Sequence, residues 1–198
     1  MEIDLSQFLA LRDDFVARWG ELKRRCDLRF LECYSCLHKA NPNMVAMTFY
    51  GMRMLGPLWL AGCAVPSLDT TSAGKAVLLE AMPGAALKAL GLPHKGYKKG
   101  ANALQLRRRI LTGLESRSGL KIRGLSRFQE TCLASDDALG SVVAAVIASL
   151  WAIDPACFWR PSLRHSTGAD SIALLEGWLY APVFLNIPVN RSLPNSGP

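Results

Sequence analysis

The chain has 198 residues, half of them hydrophobic, with 23 Lys and Arg against 16 Asp and Glu and a formal charge of +7. That is enough apolar material for a sizeable core, and the positive excess suits a polyanionic partner. No window approaches the roughly 18 apolar residues of a membrane span, the acidic, mixed start is unlike a signal peptide, and cysteines 26, 33, 36, 63, 132 and 157 form no regular framework, so the expectation is a cytoplasmic protein with reduced thiols and no membrane segment.

Leu5, Phe8, Leu9, Phe15, Val16, Trp19, Leu22 and Cys26 recur at three- and four-residue steps, which predicts a helix over 5–30. Asn41-Pro42-Asn43 reads as a turn. Residues 44–61 read as a Met-rich helix that Gly56-Pro57 kinks or ends, and 67–74 as a loop. The apolar run Ala76-Val77-Leu78-Leu79 predicts a strand that delivers one acid, Glu80, at its C-terminal end. Pro83 then suits the first position of a helix, because its missing N–H has no intrahelical partner there. Good helix formers carry on to Leu90, where Gly91 and Pro93 stop the pattern. In open α/β sheets, ligands gather at strand ends of this kind.

A basic loop follows over 93–100, then a helix over 102–115 with Leu104, Leu106, Ile110, Leu111 and Leu114 on one side. Residues 118–126 read as a polar connection. Residues 135–151 form the clearest helix, almost wholly apolar after its first turn and therefore expected to be buried. Residues 155–170 read as irregular, 177–182 as a short aromatic strand, and 186–198 as a loose tail, leaving one domain over 1–185. The order is helix-rich with two or three strands, an incomplete sheet for most α/β architectures.

Several of these stretches, taken in order, resemble one family. Leu78-Leu79-Glu80-Ala81-Met82-Pro83-Gly84-Ala85-Ala86-Leu87-Lys88-Ala89-Leu90-Gly91-Leu92-Pro93 is followed by Lys95-Gly96-Tyr97-Lys98 and an Arg-rich helix. Ser135-Asp136-Asp137-Ala138-Leu139 opens the apolar helix, and Glu176-Gly177-Trp178-Leu179-Tyr180-Ala181-Pro182 closes the region. Cys26-Asp27 and Met52-Arg53 agree as well. This order resembles predicted ribonuclease-H-like nucleases, a family otherwise described as a domain of unknown function, over roughly residues 20–185.

The resemblance implies a ribonuclease-H-like α/β fold in which acids from strands and a last helix converge on divalent metal. Two such ions, roughly 3.5–4 Å apart, activate water and stabilise the leaving oxygen of a phosphodiester. On this sequence Glu80 matches the strand-end acid, and Asp137 the first acid of an Asp-x-x-Asp pair on the last helix; Asp136 stands beside it as a further metal ligand. The implied cofactor is Mg²⁺ or Mn²⁺, bound weakly. Two departures bear on this. The family's opening hairpin with its Gly-x-Asp acid has no counterpart except Asp4, so the N-terminal strands are expected to be missing. Gly140 also stands where the second acid of the pair belongs.

Lys95, Lys98 and Lys99, with Arg107, Arg108 and Arg109, place six cations within fifteen residues. They suit a phosphate-tracking edge for nucleic acid, to which His94 and Tyr97 would add base stacking. The plainer readings stand beside these. The basic loop is also what a solvated surface carries, Glu80 is also a charge reaching water, and Asp136 and Asp137 also complement a helix dipole next to a capping Ser135. Cys33 and Cys36, with Cys26 and His38, do not complete a zinc set. Ser72-Ala73-Gly74-Lys75 lacks the upstream glycine of a phosphate loop. The sequence therefore points to a metal-dependent nuclease-like hydrolase of low activity. The alternatives are a non-catalytic nucleic-acid or nucleotide binder on the same scaffold, or a protein-interaction domain using the Met-rich helix.

Overall fold

Asp4 decides where the first helix starts. Its carboxylate accepts the Gln7 N–H at 2.8 Å while the Gln7 side chain accepts the Asp4 N–H at 2.9 Å, a reciprocal cap. The acid that the resemblance offered as a catalytic remnant is thus a helix cap. A computed structural model of the chain describes residues 3–29, 33–38, 42–66, 75–160 and 178–183. The described residues fall into two compact units. The first runs to Leu79 and takes in 178–179; the second covers 80–160 with 180–183. The expected loop over 67–74, the segment 161–170, Glu176, Gly177 and the tail over 186–198 lie outside the described residues.

In the first unit the predicted 5–30 helix is two helices. Helix α1 spans Leu5–Trp19 and ends at Gly20, whose φ of 76° only glycine adopts easily. Helix α2 spans Arg25–Arg29, and the buried Asp27 carboxylate accepts both the backbone N–H and the guanidinium of Arg24. Helix α3 spans Pro42–Leu60 and keeps Pro57 inside it. It meets α1 where the Phe8 and Phe49 rings lie 5.3 Å apart. Arg12 is buried, and its guanidinium donates to the Leu37 carbonyl, Asp13 and Glu21. Glu21 also pairs with His38, on which Tyr34 stacks. A parallel bridge joins Ala64 to Val77 within the predicted strand run.

Strand β1 is only Glu80–Ala81, and it forms a two-stranded parallel sheet with β2, Leu179–Tyr180. Helix α4 covers Pro83–Ala89 with proline in its first turn. Helix α5 covers Ala103–Ser118 and closes on a left-handed Gly119. The stretch read as a polar connection leads into a 3₁₀ turn, Leu125–Phe128, and a short helix α6, Gln129–Ala134. Helix α7 covers Asp136–Ile153, with the Ser135 hydroxyl accepting the Ala138 N–H at 3.2 Å. Leu87, Ile110, Leu114, Leu139, Val143 and Ile147 are fully enclosed where α7 packs on α4, α5 and α6. Trp151 adds edge-on contacts with Phe158 and Tyr180.

Helix α7 corrects two expectations. By length and composition it is apolar enough to cross a membrane, although the sequence reading found no such window. It is also not buried all round. Leu139, Val143, Val146, Ile147, Leu150 and Trp151 face inward, whereas Ser141, Ala144, Ala145, Ala148, Ser149 and Ala152 are exposed. Large residues sit on one face and small ones on the other, the arrangement of a core helix at a surface.

Candidate functional site

The proline that opens α4 also fixes what stands over it. A Cβ added to Gly140 would lie 3.9 Å from the Pro83 ring, so the second turn of α7 faces the start of α4. Glu80 is three residues before Pro83 and exposed; it opens the two-residue β1 rather than closing a longer strand as expected. Residues at i and i+3 or i+4 share a helix face, so Asp137 and Asp136 lie on the side of α7 that carries Gly140. Asp137 is exposed and Asp136 half-buried.

The loop over 93–100 returns to α4, where a Cβ on Gly84 would lie 3.8 Å from the His94 carbonyl. Tyr97, expected to stack on a base, is instead buried at 4 % exposure. Burial and then the Asp136 carboxylate push its phenol pKa above the ordinary value. Gly96 and Gly100 take φ of 73° and 107°, and a Cβ on Gly96 would meet Leu106 at 3.3 Å. Arg107 is half-buried and donates a long bond, 3.5 Å, to the Lys98 carbonyl, while its Nε is buried without a hydrogen-bond partner. Its reach is toward its own loop rather than outward. The consequence is a held backbone from which Lys95, Lys98 and Lys99 project, all exposed. Arg108 and Arg109 are exposed on α5 behind them.

The charge is segregated. From Lys88 to Arg127 there are eleven Lys and Arg and a single acid, Glu115. Even that carboxylate is engaged, accepting the Ile122 N–H at 2.6 Å. Lys121, Arg123 and Arg127, all exposed, were not singled out by sequence reasoning. The signal that would have found them is this run of charge, which continues past the Arg-rich helix.

The divalent centre implied by the resemblance asks more of the chain than these residues supply. A hard cation such as Mg²⁺ takes several oxygen ligands. Among the described residues no three His, Cys, Asp or Glu side chains gather in one place. Gly140 brings no side-chain oxygen, and the Asp136 charge acts on the Tyr97 phenol. Glu80, Asp136 and Asp137 do not fit a two-metal centre. The cysteines around Cys33 and Cys36 form no such group either, and none of the six is disulfide-bonded.

A family model described as "Protein of unknown function (DUF429)" matches residues 64–163, about half of the chain. The chain belongs to the DUF429 family. No curated protein and no solved structure matches it. The DUF429 span takes in β1, α4 to α7, both acid positions and the whole basic segment.

Proposed function

We propose that this DUF429 chain is a nucleic-acid-binding protein on a ribonuclease-H-like scaffold whose acidic site is reduced below what efficient phosphodiester cleavage requires. One observation carries the reading: eleven cations against one acid between Lys88 and Arg127, most of them exposed and part of them held on an anchored loop. A solvated surface mixes charges of both signs, and a segregated run concentrates a field that draws phosphates and releases counterions. Lys95, Lys98 and Lys99 are the first phosphate contacts in this reading, with Arg107 holding their loop. The protein would work where thiols stay reduced, in the cytoplasm.

The test is fluorescence anisotropy with labelled oligonucleotides at several salt concentrations. Binding should fall steeply with salt. Replacing Lys95, Lys98 and Lys99 by Ala should lower the log–log slope by roughly one unit per lost contact. Equal slopes for the two proteins would end the proposal.

A second reading, weak metal-dependent hydrolysis, is supported by Gly140 standing over Pro83, three residues after Glu80. Its test is gain of Mn²⁺ affinity in Gly140→Asp, taken up below.

A further inference from the structure

Phe128 is the one exposed aromatic among the described residues of the second unit, 60 % accessible, while Tyr97, Trp151, Phe158 and Tyr180 are buried and Trp159 half-buried. It ends the 3₁₀ turn that leads directly into α6. The loop before it is anchored along its length. The buried Ser118 hydroxyl accepts the Leu120 N–H at 3.2 Å, Glu115 accepts the Ile122 N–H, and the Arg127 N–H donates to the Gly124 carbonyl at 3.0 Å. Left-handed Gly119 and Gly124 make the two bends that place these bonds. Phe128 is therefore presented on ordered backbone, which lowers the entropy lost when something stacks on it.

Resting on the nucleic-acid reading above, we propose that the loop over 119–128 is a base-stacking platform that selects single-stranded over double-stranded nucleic acid. The ring supplies the stacking face, and exposed Lys121, Arg123 and Arg127 supply phosphate contacts. Between Gly119 and Phe128 there is no acid, and the centre of a protein–protein interface is depleted of charge; three exposed cations in the same ten-residue loop as the ring favour a polyanion that also carries flat apolar surfaces. Bases in a duplex are already stacked and must be pulled out at a cost of a few kcal/mol, so an exposed ring discriminates in favour of an unpaired strand. The platform and the Lys95–Lys99 loop flank α5 at its two ends. A 16-residue helix is about 24 Å long. Exposed Arg108 and Arg109 stand on α5 between them.

The experiment compares wild type, Phe128→Ala and Phe128→Trp by anisotropy on a labelled single strand of about 16 nucleotides and on its duplex. Phe128→Ala should weaken the single strand about tenfold or more and leave the duplex unchanged. Phe128→Trp should keep wild-type affinity, and its emission should be quenched by the single strand. Unchanged single-strand affinity in Phe128→Ala, an equal loss on the duplex, or an unquenched tryptophan would each overturn the platform while leaving the basic segment as a phosphate site. Failure of wild type to bind either probe at low salt would remove the nucleic-acid reading itself.

Discussion

Helices α3 and α7 are nearly equal in length and both strongly apolar, yet they are treated in opposite ways. In α7 the large side chains at 139, 143, 146, 147, 150 and 151 fall on one face, and Ser and Ala fill the other. In α3 the large residues surround the axis, and every position from Tyr50 to Leu60 is exposed, with Met54 at 65 % and Leu60 at 83 %. Total hydrophobicity is therefore a poor guide to burial; angular distribution decides it. A helix with bulk on one side has one way to dock, whereas a helix with bulk all round has none that hides everything. The difference also separates the two units chemically. The second encloses an apolar core, and the first buries Arg12, Asp27 and Ser35 with their polar partners.

Truncation tests this contrast most strongly. Ile147→Ala and Leu139→Ala, both fully enclosed, should each destabilise the second unit by about 2–5 kcal/mol, whereas Met54→Ala and Leu60→Ala in α3 should stay within about 0.5 kcal/mol. Urea unfolding of the four variants measures this, and similar losses in both helices would break the comparison.

Glycines sharpen it on a smaller scale. At Gly113 in α5 a Cβ would come within 2.5 Å of the buried Leu92 side chain, so Gly113→Ala should cost about 1–3 kcal/mol despite its better helix propensity. Gly140 in α7 has ordinary room and Gly56 in α3 has open space, so alanine at either should stabilise by up to about 0.5–1 kcal/mol. The room at 140 also makes Gly140→Asp a clean probe. It should raise Mn²⁺ affinity in calorimetric titration if that face looks onto a cation, and metal should then raise its melting temperature by linkage. No gain would make Asp136 and Asp137 helix caps and nothing more.

The smallest effect concerns pH. Tyr97 is held neutral in the folded chain by burial and by Asp136, so its pKa lies above the unfolded value of 10.0. Its contribution is fully present below that value and is lost as pH rises through the folded pKa. Burial raises the Cys132 thiol in the same direction, from 9.0. Stability should decline in the alkaline range, and Tyr97→Phe should soften the decline when unfolding is followed against pH.

Much of the scaffold around the site was legible. Ser135 followed by two acids located the start of α7, and Pro83 and Gly91 bracketed α4, because caps and prolines act within a few residues of where they stand. Gly20 was passed over, since the apolar spacing of Leu22 and Cys26 continued the helical rhythm across it. Helix α6 is too short for periodicity to register, although Cys132 and Leu133 are buried on it. At the site, the exposed lysines could be read from composition. The burial of Tyr97 could not, because a tyrosine in a basic loop carries no local sign of which way it turns. Nor could the inward turn of Arg107, or Phe128 as a surface ring, which are products of tertiary packing.

The bond from Glu115 to the Ile122 N–H spans only seven residues. Closing a loop of about ten residues takes on the order of 10–100 ns, far less than the collapse of a whole chain of this size. The expected order of assembly follows from that local closure. The loop over 119–128 takes shape along with α5 itself, while the seating of α7 over α4 waits for partners more than fifty residues apart to find each other. A nascent chain released as far as α6 would already display its cationic turn, well before the hydrophobic support behind it had formed.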